Sequence, residues 1–350
     1  SLIELPKFKK RRSMLREYRQ NEGLIFRQLD IAKDYNGLKQ ALDYFQPDQI
    51  VHLAEQPSAP FSMLSLKSCR KTMENNIGGT INLLYAMKAA CPEAHLVKLG
   101  TMGEYGTPNI PIEEGFIEIQ RAGRKDRLPF PRQAGSWYHQ TKVHDSNNIM
   151  FACKVWGLKS TDIMQGVVYG TYIEEMGDSP SRKTRLDFDS IFGTAVNRFA
   201  VQAVLGHPLT VYGKGLQRRG FIPIQDSLSC MYLAMQNDPV HGEYRVINQF
   251  EDVYTIKMLA EYVVDIAARR GHDTYVEHYE NPRVELEDHF YEPKHDTLKS
   301  WGYEPEGDYE GTITNIIKDV EQNEMRAMEY SHLILPFNRW DGRKEKVEVL

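Results

Sequence analysis

The chain has 350 residues, 41% of them hydrophobic and 26% charged, with a formal net charge of −5. This is an ordinary globular composition with length for two or three domains. The acidic balance argues against nucleic-acid or anionic-membrane partners, and no apolar run approaches the roughly 20 residues that cross a bilayer.

Short apolar runs alternate with helical stretches. Leu24–Leu29 reads as a strand ending at Asp30, and a helix follows near 35–46. A strand over Ile50–Ala54 leads to a helix near 76–90, then to the strand Leu96–Leu99. A helix over 138–155 precedes the strand Lys159–Met164. A helix over 193–205 stops at Gly206-His207-Pro208, and a further strand spans Tyr244–Asn248. This alternation predicts an α/β fold with a Rossmann-like, doubly wound parallel sheet. Residues 1–171 are expected to form the dinucleotide-binding domain. Residues 172–350 would mainly form a smaller α/β substrate-binding domain, with a strand near 244–249 returning to the first sheet. The four cysteines, Cys69, Cys91, Cys153 and Cys230, form no Cys-x-x-Cys, and the eleven histidines show no paired spacing. Neither a disulfide framework nor a metal site is expected.

A dinucleotide-binding sheet normally opens with a strand, a glycine-rich turn and a helix that receives the pyrophosphate. No such turn precedes Leu24, only the basic run Lys7-Phe8-Lys9-Lys10-Arg11-Arg12. Two explanations stand: roughly fifty native residues carrying the first two strands precede this chain, or the chain is a truncated relative unable to hold a cofactor.

The chemistry concentrates in Tyr138-His139-Gln140-Thr141-Lys142. On a helix, positions i and i+4 share a face. Lys142 is therefore expected to hold Tyr138 as a phenolate, below the ordinary tyrosine pKa of about 10. With the Thr101 hydroxyl at the end of the Leu96–Leu99 strand, the pair can move a proton off an alcohol during hydride transfer.

Six stretches then resemble one family. They are Ala54-Glu55-Gln56-Pro57-Ser58-Ala59-Pro60-Phe61-Ser62-Met63, the run from Val97 to Asn109, Tyr138 to Asp145, Gln165 to Gly170, Pro208 to Gly215, and Asn281-Pro282-Arg283-Val284-Glu285. From about residue 20 onward the chain is similar to the extended short-chain dehydrogenase/reductases that act on nucleotide sugars, and among them to the UDP-sulfoquinovose synthase branch. That resemblance implies NAD as a bound, regenerated cofactor, UDP-glucose and sulfite as substrates, and a homodimer packed through the 76–90 and 138–155 helices. It allows a sulfite-donating partner protein. The implied compartment is cytoplasmic, or an organelle stroma if a transit peptide precedes the chain.

The resemblance also distributes roles. Asp30 and Ile31 would meet the adenine end of the cofactor. Leu53, Ala54, Glu55, Gln56, Asn76, Leu99 and Val168 would line it, with Tyr138 and Lys142. Gln56, Thr101, Gln133, Tyr138, Gln165, Asn197, Thr210, Val211, Tyr212, Gln217, Arg219 and Arg283 would hold the UDP-sugar, the guanidinium forks gripping phosphate. Thr101, Tyr138 and Lys142 would oxidise and re-reduce C4. Met102 and Gly103 stand where the 4,6-dehydratases carry an acidic pair, so Glu104 and His139 become the acid/base candidates for C5 and C6. The family's arginine after Glu-Gln is Pro57 here, leaving Arg132 or Arg218 to meet sulfite. A UDP-glucose 4-epimerase, a 4,6-dehydratase and a catalytically inactive sugar-nucleotide-binding protein are the rival readings.

Overall fold

A computed structural model describes residues 25–177, 186–305, 308–337 and 339–350. The basic run at 7–12 lies outside the described residues, as does Leu24. In chain order the elements are α1 (Tyr35–Phe45), β1 (Gln49–His52), α2 (Ala59–Met63), α3 (Leu66–Ala90), β2 (His95–Leu99), β3 (Phe116–Arg121) and β4 (Arg124–Pro129). Then come α4 (Trp137–Trp156), β5 (Lys159–Gln165), β6 (Val167–Tyr169), α5 (Ala195–Val204), β7 (Leu209–Tyr212), β8 (Arg218–Pro223) and α6 (Ile224–Gln236). The chain continues through β9 (Tyr244–Gln249), β10 (Asp252–Thr255), α7 (Ile256–Arg269), β11 (Val276–Tyr279), α8 (Asp296–Ser300), α9 (Tyr309–Glu321) and α10 (Glu324–Glu329).

The α/β architecture expected from the alternation is present. Four parallel strands hydrogen-bond in the order β1-β2-β5-β9. Because neighbouring residues of a strand face opposite sides, Leu96 packs under α1, α3 and α4 with Leu38, Leu84, Met87 and Ile149. Val97 faces the other layer, with Ile163, Ile247, Cys230 and Ala234 of α6, and Leu298 of α8. A second core joins α5, α7 and α9 to β7 through Phe199, Val211, Leu259, Val263, Ile313 and Ile317. There β11 pairs with β7 in parallel, and β8 lies between β10 and β6.

Two expectations are corrected. Residues 25–30 form no strand. No described strand pairs with them, and Ile25 and Phe26 are exposed, so the ladder that would fix an extended segment is missing. The second helix begins at Leu66, ten residues earlier than its apolar pattern suggests. The Ser65 side chain caps it by accepting from the Ser68 N–H at 3.1 Å. Among the described residues, no helix is long and apolar enough to cross a membrane.

The fold brings the strand ends together. All four parallel strands finish on one side, where Leu53 to Gln56, Gly100-Thr101, Gln165 and Phe250 emerge. In such sheets that edge is where ligands bind.

Candidate active site

The helix α4 delivers the central pair. Ser136 caps its start by accepting from His139 N, and Gly157, at φ 73°, closes it in the left-handed conformation that glycine adopts without strain. Tyr138 and Lys142 lie on one face, with the Lys142 ammonium 5.8 Å from the Tyr138 ring centroid. Asp145, at i+7, continues the same face inward and is fully buried. Asn76 of α3 ties the wall to the helix. It accepts from Gln56 N (2.8 Å) and donates to Gln56 O (3.2 Å) and to the Thr141 hydroxyl (3.0 Å).

Lys142 does not act on Tyr138 as expected. Its ammonium pairs with the Glu55 carboxylate at 2.5 Å and donates to the Leu99 carbonyl at 2.6 Å. The Tyr138 hydroxyl is pushed far above the ordinary tyrosine range, first by burial and then by the Glu55 charge, with Lys98 offsetting only part.

Glu104 is also elsewhere than expected. It lies with Lys98 and Asp162 in a cluster fully closed to solvent. Lys98 Nζ is 3.4 Å from Glu104, 3.3 Å from Asp162 and 3.0 Å from the Ser146 hydroxyl. Arg132 grips the other Glu104 oxygen, and Tyr244 donates to Asp162 at 2.7 Å. Burial works against the charge on Lys98, but Asp162 and Glu104 outweigh it and hold the ammonium above its usual range. Glu104 is thus a structural carboxylate behind the site, and Arg132 is committed to it. Met102 is corrected too: it packs in an apolar cluster with Tyr105, Ile112, Phe130 and Met164.

Thr101 and His139 remain at the strand ends. The Thr101 hydroxyl accepts from Gly103 N at 3.1 Å. The His139 ring lies against Gly103, where a Cβ would overlap it, and its Nδ1 meets the Ser136 hydroxyl at 3.0 Å. Burial pushes its pKa down to about 3, with Arg283, Arg219 and Lys142 adding to the effect.

The second half of the site is a cavity of about 410 Å³ between the strand ends and the C-terminal layer. Pro57, Tyr212, Gln217, Arg219, Arg283 and Glu285 line it, and so does Arg198, which sequence reasoning missed. Arg219 pairs with Glu285 at 2.6 Å. Arg198 is buried beneath the Tyr212 ring at 4.6 Å, with one guanidinium nitrogen donating to the Thr210 carbonyl at 3.0 Å. Among the described residues no carboxylate pairs with it, and its Nε has no partner. The signal in the sequence was a single arginine inside the apolar run Ala195–Val204.

The remaining expected residues divide. Gln165 donates to Ser227 and Gln249, both at 2.9 Å. Asn197 donates to the Asp187 carbonyl beside the cavity at 3.1 Å. The Val211 side chain is buried in the core, and the Thr210 hydroxyl is bonded to Gln202, so only their backbones can meet a ligand. Arg218 is exposed. Gln133 is exposed on the loop before α4, its N–H donating to the Glu104 carbonyl. Asp30 accepts from Ala32 N, and Ile31 packs on Gly79 of α3. Val168 is half-buried on β6 beside the α6 core.

A parallel sheet with a Tyr-x-x-x-Lys helix at its carboxyl edge defines a class, and the sequence falls in it. Residues 7–248 match the model of the NAD dependent epimerase/dehydratase family, and the chain belongs to that family. It is 48% identical over 297 residues to a chloroplastic UDP-sulfoquinovose synthase of Spinacia oleracea, covering 84% of this chain and 62% of that protein. It is 44% identical over 308 residues to a UDP-sulfoquinovose synthase of Sulfolobus acidocaldarius, covering 88% of this chain and 78% of that one. Among solved structures, a UDP-glucuronic acid 4-epimerase of Bacillus cereus, in complex with UDP-glucuronic acid and NAD, superposes with a TM-score of 0.70. The two share 19% identity, with 90% of this chain and 87% of that one covered. NAD is the cofactor of the family, and the residues present suit it. Leu53 is exposed at the carboxyl end of β1, the buried Gln56 Nε2 has no partner, and Lys142 and Glu55 stand at the same edge.

Proposed function

We propose that the chain carries the catalytic centre of a UDP-sulfoquinovose synthase, joining UDP-glucose and sulfite into a sulfonated sugar nucleotide. The observation that carries this reading is 44–48% identity, over most of the chain, to plant and archaeal proteins of that name. The site geometry supports it.

NAD, held along Leu53 to Gln56, the Leu99 carbonyl and Lys142, would supply reversible hydride acceptance at C4 of the sugar. The residues of the chain do the rest. Tyr138 exchanges a proton with the C4 oxygen, and Thr101 hydrogen-bonds the same oxygen. Oxidation at C4 acidifies the C5 hydrogen, which allows water to leave from C6 and sulfite to add there; C5 is then reprotonated and C4 reduced. With Glu104 enclosed, His139 is the titratable group left beside Thr101 to serve C5 and C6. Arg219, Arg283 and Arg198 converge on the cavity and suit a diphosphate, a planar fork matching phosphate oxygens bidentately. Gln165, Asn197 and the backbone of Thr210 to Tyr212 would frame the uridine. Asp30 and Ile31 would meet the adenine, and the homodimer would pack through α3 and α4.

The test is product analysis with the full-length protein, UDP-glucose and NAD, with and without sulfite. A sulfonated UDP-sugar formed only with sulfite is expected. UDP-galactose, or a free 4-keto-6-deoxy sugar nucleotide, would overturn the reading.

A further inference from the structure

The C-terminal residues form a strap along the side of β11 that β7 leaves open. The Glu280 N–H donates to the Glu348 carbonyl at 2.8 Å and the Leu350 N–H to the His278 carbonyl at 2.9 Å, while Tyr279 and Val349 make an antiparallel bridge. The strap turns where the Arg339 N–H donates to the Arg343 carbonyl at 3.0 Å. Arg339 is itself buried, pairs with Glu280 and donates to the Lys346 carbonyl at 3.2 Å. Backbone and charge thus clasp the strap to one strand. Because β11 ends just before Asn281-Pro282-Arg283, the clasp sets Trp340 against that loop. The Trp340 N–H donates to the Pro282 carbonyl at 2.8 Å, and the Arg283 guanidinium carbon lies over the Trp340 ring, 5.2 Å from its centroid.

We propose that Trp340 is a positioning residue for diphosphate binding: its indole holds the Arg283 guanidinium by the face and leaves the N–H donors to the cavity. The proposal rests on the reading of Arg283 as a diphosphate ligand. Arg283 lines the larger cavity with Arg219 and Arg198, but the three are held differently. Arg219 commits donors to Glu285 at 2.6 Å and to the Arg218 carbonyl at 2.7 Å. Arg198 is buried beneath Tyr212 and donates to the Thr210 carbonyl. Arg283 is exposed on a loop, where a long side chain has rotamer freedom that binding must overcome. An aromatic face attracts a guanidinium through the ring quadrupole and takes none of its five donors. A carboxylate in the same place would occupy two of them as a bidentate pair. The loop backbone is held as well, with the Arg283 N–H donating to the Asn281 side-chain oxygen at 3.0 Å and the Asn281 amide to Glu285 at 3.2 Å. Trp340 also meets Arg198, Tyr212 and Arg283 around a smaller cavity of about 30 Å³, so the strap walls the site beside the arginines.

Calorimetric titration of the full chain with UDP and with uridine tests the proposal. Trp340→Leu should bind UDP about three- to tenfold more weakly and uridine within about twofold of native, a split that a general loosening of the cavity would not produce. Trp340→Phe, which keeps a ring, should recover most of the UDP affinity. In an Arg283→Met background, itself weakened for UDP, Trp340→Leu should add little. A UDP loss below about twofold in Trp340→Leu, an equal loss for UDP and uridine, or a full further loss in the Arg283→Met background would overturn the proposal. Should Arg283→Met bind UDP as the native chain does, the diphosphate reading of Arg283 falls and the proposal with it. A weakened Arg283→Met beside an unaffected Trp340→Leu overturns the proposal alone. If Trp340→Leu does not fold, the emission of this indole, read as native minus Trp340→Phe, decides. UDP should change it and uridine should not; a change with both, or with neither, overturns the proposal.

Discussion

Replacing Asp145 with Asn removes a buried carboxyl whose ionisation the fold opposes. Asp145 is fully buried on α4, and its pKa is raised to about 8 by burial first and then by the Glu55 charge, with Lys98, Lys142 and the Thr80 hydroxyl offsetting part. In the unfolded chain an aspartate titrates near 3.9. Between those values the folded state holds a proton that the unfolded state has released. Stability therefore falls as pH rises through that window, and the loss is complete above the folded pKa. At 1.36 kcal/mol per unit, three units from pH 5 to pH 8 amount to about 4 kcal/mol. Asp145→Asn keeps the shape and cannot ionise, so this contribution becomes flat. Urea unfolding of both chains at pH 5, 6, 7 and 8 measures the difference. The variant should gain on the native chain progressively, by a few kcal/mol over the range. If the two curves stay within about 1 kcal/mol of each other throughout, the buried-acid argument is wrong.

Two further substitutions test the buried charges. Lys98→Met leaves Glu104 and Asp162 without the ammonium that lies 3.4 and 3.3 Å from them, and should cost about 3–5 kcal/mol in urea unfolding at pH 7; a loss below about 1 kcal/mol counts against the cluster as a structural unit. Arg198→Met should leave stability equal or higher, because an unpaired buried charge goes. It should weaken UDP binding by about 1.5–3 kcal/mol, roughly tenfold or more, in calorimetric titration. Affinity within twofold of native would remove Arg198 from the binding site.

Much of the first layer was legible because its signals are local. The strands β1, β2, β5 and β9 are short segments set between helical stretches, and each was located to within two residues. The Tyr-x-x-x-Lys spacing placed α4 and the site together, since helix periodicity alone puts Tyr138 and Lys142 on one face. What failed depended on distant partners. Lys98 lies unremarked inside the strand Leu96–Leu99, because its ion partners come from the turn after β2 and from β5, its Ser146 contact from α4, and no spacing rule connects these. The raised Tyr138 pKa was equally out of reach, since it comes first from burial and then from Glu55, which lies in another segment. The hairpin β3–β4 went unread because β4 is exposed at every position and so lacks an alternating apolar face. Its turn did carry a signal: Ala122 and Gly123 both take positive φ, at 49° and 75°, as tight hairpin turns require.

The two halves of the site are coupled by charge. Arg219 and Arg283 depress the His139 pKa from across the cavity, and Arg198 adds a third guanidinium with no carboxylate of its own among the described residues. Glu285 is the counter-charge paired with Arg219. A buried cation without a partner costs several kcal/mol, so this half of the cavity is electrostatically incomplete until an anion enters. On the proposed reading a diphosphate supplies that anion, near an imidazole whose pKa is held down first by burial and then by Arg283 and Arg219. On the other wall Lys142 pairs with Glu55 at 2.5 Å and stands 5.8 Å from the Tyr138 ring centroid.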